Sequence, residues 1–165
     1  MRHKSSAYCP PPSAYWWLKA LFSIMGIRRK GRELALQALY QMEMTGDASP
    51  ASLELFLGHF EGNPKARDFA RRLVQGVVNQ RQEIDRIIEQ CAEHWRLKRM
   101  AKVDLTILRM ATYELLFCPD IPLNVSLDEA IEIGKRYGSG DSATFINGVL
   151  DQVAQASGMK QSSGG

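Results

Sequence analysis

Four positive charges fall within five residues at Arg28-Arg29-Lys30-Gly31-Arg32, where a helical pattern begins. Cations at a helix N-terminus are opposed by the helix dipole, so a cluster placed there points to an external anion. A nucleic-acid backbone fits: its phosphates would supply most of the affinity, in a salt-dependent way. Arg28 and Arg32 share a face if the stretch is helical. A solvated basic tail is the plainer alternative, and the pattern alone leaves both open. Tyr40 follows Arg32 by eight residues, two turns on and on roughly the same side. Phe145 sits in the first turn of the last helical segment, beside its apolar stripe rather than on it. An aromatic ring with an open face can stack an unpaired base. For each ring, core packing is the alternative.

The catalytic inventory is poor. The histidines are His3, His59 and His94, and HExxH, GxSxG, P-loop and GxGxxG patterns are all missing. Cys91 and His94 lie three apart on a helix and can face one metal ion. No second ligand pair is visible, so a core Cys91 with His94 at its edge is the expected arrangement. The acids are scattered, and no pair stands out for general acid–base work. No catalytic residue, cofactor or metal is expected. Glu114 sits in an apolar helix and needs a partner if buried. Gly148 lies in mid-helix, where it costs roughly 1 kcal/mol against Ala, and close helix contact is the expected reason.

The elements that must position these residues read as helices almost throughout. A first helix is expected from about Arg29 to Thr45, with Ala35, Leu39 and Met42 on one face. Gly46-Asp47 ends it. Ser49-Pro50 and Asn63-Pro64 each combine a cap with a first-turn proline. Phe69, Leu73 and Val77 carry the third stripe. The pattern runs on through Ile84, Ile88, Cys91 and Trp95, and a break is expected near Asn79–Gln82. Order weakens near Leu97–Met100. Lys102 to Cys118 is apolar nearly all round, the mark of a buried central helix. Ser126 and Glu129 form a capping box for the next helix. Gly138-Ser139-Gly140 is a turn, and Asp141 or Ser142 caps a last helix with Ile146, Val149, Leu150 and Val153 inside. No β-type alternation persists, so the fold class is all-α, a helical bundle.

The bulk numbers agree. The chain has 165 residues, 45% of them hydrophobic, enough for one domain with a real core. The net charge is +3, but residues 1–40 hold seven Lys/Arg and one Glu, whereas the rest holds fourteen Lys/Arg and seventeen acids. A polyanion should therefore dock near the start. Three scattered cysteines suit a reducing compartment, and a cytoplasmic protein is expected. The apolar stretch from Tyr15 to Met25 contains Lys19 and is too short to cross a bilayer, so no membrane partner is expected. We expect Met25 to be the native start and residues 1–24 to be a non-native or disordered N-terminal extension. Residues 25–156 then form a single helical domain and 157–165 a disordered tail.

At this point the chain resembles a known family. Arg28 through Tyr40 looks like the opening of NusB proteins. Leu108-Arg109-Met110-Ala111-Thr112-Tyr113-Glu114-Leu115 looks like their central helix, and Pro122 through Ile133 matches the next segment. Phe145-Ile146-Asn147-Gly148-Val149-Leu150-Asp151 is similar to their ending. The four blocks stand in the family's order across residues 28–156. The resemblance implies two packed helical sub-bundles, three helices then four, and no catalysis. It implies binding of boxA RNA in ribosomal-RNA leader transcripts, together with NusE, a small-subunit ribosomal protein. It implies a place in the RNA polymerase antitermination complex that reads through terminators.

Site roles follow where residues match. The resemblance assigns RNA binding to Arg28, Arg29, Lys30 and Arg32, with Tyr40 and Phe145 on the same surface. It places Asp104, where the family often has Glu, and Asp141 at an RNA or partner surface. Gly31, where others often have Ala, is expected to loosen the helix entry. Two rivals differ in class. Ribosomal-RNA cytosine methyltransferases carry a NusB-like domain, but they need a catalytic domain with a Gly-rich loop and a nucleophilic Cys, and this sequence has neither. A scaffold that binds only proteins would leave the basic cluster solvated and would show little salt-sensitive RNA affinity.

Overall fold

Turn residues set the boundaries of the early helices. In the computed structural model, which describes residues 12–60 and 62–159, helix α1 spans Pro12–Thr45. It stops at Gly46, whose φ of 73° is a left-handed conformation that glycine adopts without a Cβ penalty. Ser49 Oγ accepts the Ser52 N–H at 3.2 Å and caps α2, Pro50–Gly58. Asn63 Oδ1 accepts the Lys65 N–H at 2.9 Å and caps α3, Pro64–Asn79. Helix α4, Arg81–Cys91, follows a break at Gln80, inside the expected window. A 3₁₀ turn at Leu97–Arg99 leads to α5, Lys102–Phe117, then α6, Leu123–Tyr137, and α7, Ser142–Ala156. No strand occurs among the described residues.

The helices pack as three plus four. Helices α1, α2 and α3 touch one another, with α1 lying along α3. In the second group α6 pairs with α7, and both pack on α5, as does α4. Helix α5 also meets α1 and α3, so it is the wall shared by both groups. Its all-round apolar pattern has that cause: Leu105, Ile107, Leu108, Met110 and Ala111 are all buried. Each large side chain so buried contributes roughly 1.5–3 kcal/mol.

Glycine sets the closest approaches. A Cβ on Gly31 would lie 2.8 Å from Phe69 Cδ1 and 2.9 Å from the Ala66 carbonyl oxygen, so Gly31 lets α1 and α3 meet. It is a packing residue, not the loosened helix entry expected of it. Gly76 of α3 lies directly under the Tyr113 ring of α5.

Four other expectations are corrected. Helix α1 starts at Pro12, not near Arg29, because nothing between Ser13 and Arg28 breaks it except one tolerable glycine, Gly26. Ser126 is not the cap of α6. The helix begins at Leu123, with Pro122 in the cap position, and Ser126 Oγ donates to Glu114 at 3.1 Å. Ser126 lies inside the helix, where no free N–H needs a cap, and its hydroxyl instead donates to a buried carboxylate, a strong acceptor. Gly148 is exposed, and a methyl group in place of its hydrogen would meet nothing within 4 Å, so no helix contact explains it. Trp95 lies outside α4, which ends at Cys91, and is 52% exposed. The expectations for residues 1–11 and 160–165 lie outside the described residues.

Candidate nucleic-acid interface

The basic cluster sits well inside α1 rather than at its N-terminus, so the dipole no longer opposes it. Its residues diverge because a helix turns about 100° per residue. Arg32 points into the seam with α5 and is only 2% exposed. Its Nε and Nη2 donate to Glu114 Oε1 and Oε2 at 2.8 and 2.7 Å. This bidentate pair, with Ser126 as a third donor, satisfies the Glu114 carboxylate that the sequence left without a partner. Arg32 is thus removed from the set that can touch RNA phosphate: packing claimed it.

The other three remain at the surface, each beside an acid. Arg29, half exposed, donates from Nε and Nη2 to the two Glu129 oxygens at 3.0 and 2.6 Å. Those hydrogen bonds raise its pKa above the ordinary arginine value. Arg28 lies 3.6 Å from Asp120 and over the Phe69 ring, 5.5 Å from its centroid. Arg72 holds the same aspartate with two hydrogen bonds and pulls its pKa down to about 2, with Arg28 adding to the effect. Lys30 reaches Glu33 at 3.4 Å. A phosphate approaching this segment therefore competes with carboxylates already in place.

Tyr40 is exposed. It follows Arg29 by eleven residues, three turns, so it shares the face of Arg29 rather than that of Arg32. The spacing is roughly 16 Å along the axis. Helix α6 borders this face, since Arg136 donates to Glu33 at 2.5 Å. The turn after α6 carries Asp141, exposed at the cap position of α7 with no side-chain capping bond.

Helix α5 runs antiparallel to α1: Arg32 meets Glu114, whereas Glu43 meets Lys102 and Arg109. Asp104 therefore lies toward the Tyr40 end, away from the cations. It is 7% exposed, and its Oδ1 has no hydrogen-bond partner. A buried carboxylate oxygen without a donor is costly, and a ligand donor would satisfy it. Along the axis of α1 the cations thus lie at one end, and Tyr40 of α1 and Asp104 of α5 lie level with the other.

Phe145 is half-buried, packed on the core and edge-on to Trp95, with ring centroids 5.5 Å apart. Of this pair Trp95 is the ring with open surface, and sequence reasoning missed it by placing it on the α4 stripe. Nothing between Cys91 and Trp95 is a helix breaker, so no local signal marked the change. The acids Glu33, Asp120 and Glu129 were also missed; Asp120, Glu129 and the Arg136 partner of Glu33 come together from distant parts of the chain. Cys91 is half-buried, which pushes its thiol pKa up, and His94 is exposed. Among the described residues no three His, Cys, Asp or Glu side chains gather around a possible metal position. No helix among them is long and apolar enough to cross a membrane.

Known proteins are similar to this chain in sequence and in the arrangement of helices. The model of the NusB family matches residues 29–155. The transcription antitermination protein NusB of Geobacter sulfurreducens is 54% identical over 132 residues, covering 79% of this chain and 95% of that protein. The NusB of Desulfatibacillum aliphaticivorans is 48% identical over 129 residues, covering 78% and 90%. Among solved structures, T. maritima NusB matches with a TM-score of 0.71 at 41% identity, over 78% of this chain and 90% of that one. A crystal structure of antitermination factors NusB and NusE in complex with dsRNA matches with a TM-score of 0.71 at 27% identity, over 80% and 98%.

Proposed function

The chain belongs to the NusB family, and from that premise we propose that it is a non-catalytic, RNA-binding transcription antitermination factor. It binds boxA-type RNA of ribosomal-RNA leader transcripts jointly with a NusE-like ribosomal protein. The pair supports read-through by RNA polymerase in the cytoplasm. The similar complex of NusB, NusE and double-stranded RNA supports the choice of partners.

The observation that carries the reading is the outer face of α1, with Arg28, Arg29 and Lys30 at the surface and Tyr40 on the Arg29 face further along; the unpartnered Asp104 oxygen of α5 lies level with the Tyr40 end. Phosphate contacts from the cations fix the register of the RNA, and base identity is read by stacking and edge hydrogen bonds. Asp141, beside the α6–α7 turn, belongs to the adjoining RNA or partner surface.

The test is binding of boxA-type RNA to the full chain, with and without the NusE-like protein, across a range of salt. Sequence-selective binding that tightens with the partner and weakens with salt is the expected result. Absence of selective binding in both conditions would reduce the chain to a protein-binding scaffold.

A further inference from the structure

The most available cations are not in the basic cluster. Among the described residues, each of Arg28, Arg29, Lys30 and Arg32 has an acid within 4 Å. By contrast, Arg96, Lys98 and Arg99 are all exposed and make no ion pair or side-chain hydrogen bond. Among the described residues the other cations in that condition are the exposed Lys65 and the half-buried Arg67, both on α3. Arg96, Lys98 and Arg99 lie in the connector between α4 and α5, next to the half-exposed Trp95. Glu93 is the single acid between Ala92 and Lys102.

The connector is built to hold these groups outward. Ala92 and Met100 are buried at its two ends, and Leu97 packs against the core between them. Its backbone is closed by hydrogen bonds from Trp95 N to Ala92 O, Arg99 N to Arg96 O and Met100 N to Leu97 O, at 2.8, 2.8 and 3.2 Å. Fixing the apolar side chains inward leaves Arg96, Lys98 and Arg99 in solvent. Phe145 meets the Trp95 ring at 65°, edge to face, and so orients the indole while half of its surface stays open. An indole held in place loses little freedom on stacking, which is what a base platform requires.

We propose that the α4–α5 connector is a second RNA-contact strip, in which Trp95 stacks an unpaired base and Arg96, Lys98 and Arg99 hold the phosphates that flank it. The inference rests on the RNA-binding reading above and extends it to a surface that the basic start of the chain does not reach. Charge decides for RNA over a protein partner: three unpaired cations beside a flat aromatic ring match a single strand. On this strip no carboxylate has to be displaced first, unlike Glu129 at Arg29.

The experiment measures binding of a single-stranded boxA-type RNA to the full chain and to three variants: Trp95→Ala, Trp95→Phe, and the triple variant Arg96→Ala, Lys98→Ala, Arg99→Ala. Circular dichroism checks each for helicity. We expect Trp95→Ala to weaken binding by roughly 5- to 150-fold, the worth of one base stacked on an aromatic ring, and Trp95→Phe to recover much of it. The triple variant should lower the salt slope by about 2, at about 0.7 per phosphate contact on a single strand. A folded Trp95→Ala or triple variant with wild-type affinity and slope would overturn the proposal. So would loss of capture of the NusE-like protein without loss of RNA binding, which would make the strip a protein surface. A parallel Arg28→Ala, Arg29→Ala variant separates the two readings. If it weakens binding while the connector variants do not, only the connector fails; if the wild-type chain binds no RNA, both fail.

Discussion

The Arg32 guanidinium and the Glu114 carboxylate face each other through two hydrogen bonds of 2.8 and 2.7 Å, with both side chains 2% exposed. The pair joins α1 to α5 across the seam between the two helical groups. Arg32 also lies over the Phe69 ring of α3, 5.3 Å from its centroid. One side chain thus ties together three helices, and the most strongly held cation of the basic cluster is a structural one.

Replacing Arg32 by Ala should therefore destabilise the protein by about 3–5 kcal/mol, because it leaves the Glu114 charge buried without its counterion. The double variant Arg32→Met, Glu114→Leu should recover most of that loss, since an apolar pair of similar volume removes both charges. Urea unfolding of the two variants checks this. Equal destabilisation of both would contradict the assignment.

Arg28 should behave in the opposite way. Its ion pair is at the surface, where such pairs contribute roughly 0–1 kcal/mol, so Arg28→Ala should leave the unfolding midpoint nearly unchanged. Arg29→Ala should lower it, because the buried Glu129 then keeps, among the described residues, only Arg32 at 3.9 Å. In both variants RNA affinity should fall, and the slope of log K against log salt should flatten by about 0.7 for each lost contact to a single strand. Titration of labelled RNA at several salt concentrations reads both quantities. Wild-type affinity in a folded double variant would remove the basic start from the interface.

Two glycines predict opposite signs. A methyl group on Gly76 would collide with the Tyr113 ring, so Gly76→Ala should destabilise by about 1–3 kcal/mol as the α3–α5 contact is forced apart. Gly148→Ala meets open space in mid-helix and should stabilise by up to about 1 kcal/mol, the difference in helix propensity. Thermal melts of the two variants should move in opposite directions.

Acid should loosen the junction of α1, α4 and α5. Glu43 accepts hydrogen bonds from Arg81 and Lys102, and the Arg81 bond leads in lowering its pKa from 4.5 to about 2. A carboxyl whose folded pKa is depressed adds stability that is fully present above pH 4.5 and is lost as pH falls toward 2. Glu43→Gln should be less stable than wild type at neutral pH, and the gap should close over that window. Denaturant midpoints measured down the acid limb would show the two curves converging. A constant gap would mean that the loss comes from packing rather than from the charge.

The sequence by itself determined the helices and their punctuation. Ser49-Pro50, Asn63-Pro64 and Gly46 mark ends through local backbone chemistry, so neighbours in the chain suffice to read them. The all-round apolar pattern of Lys102 to Phe117 likewise announced a helix with protein on every side. What only the tertiary structure decided was which cation faces outward. Arg28, Arg29 and Arg32 are equivalent as residue types, and their fates differ because Asp120, Glu129 and Glu114 arrive from 82 to 100 residues away. Trp95 was misplaced, and Gly148, though in mid-helix as expected, lacks the close contact expected of it, for a related reason. Periodicity reports that a residue lies on an apolar stripe or in a helix, but it does not say where the helix stops without a breaker or which partner reaches that face.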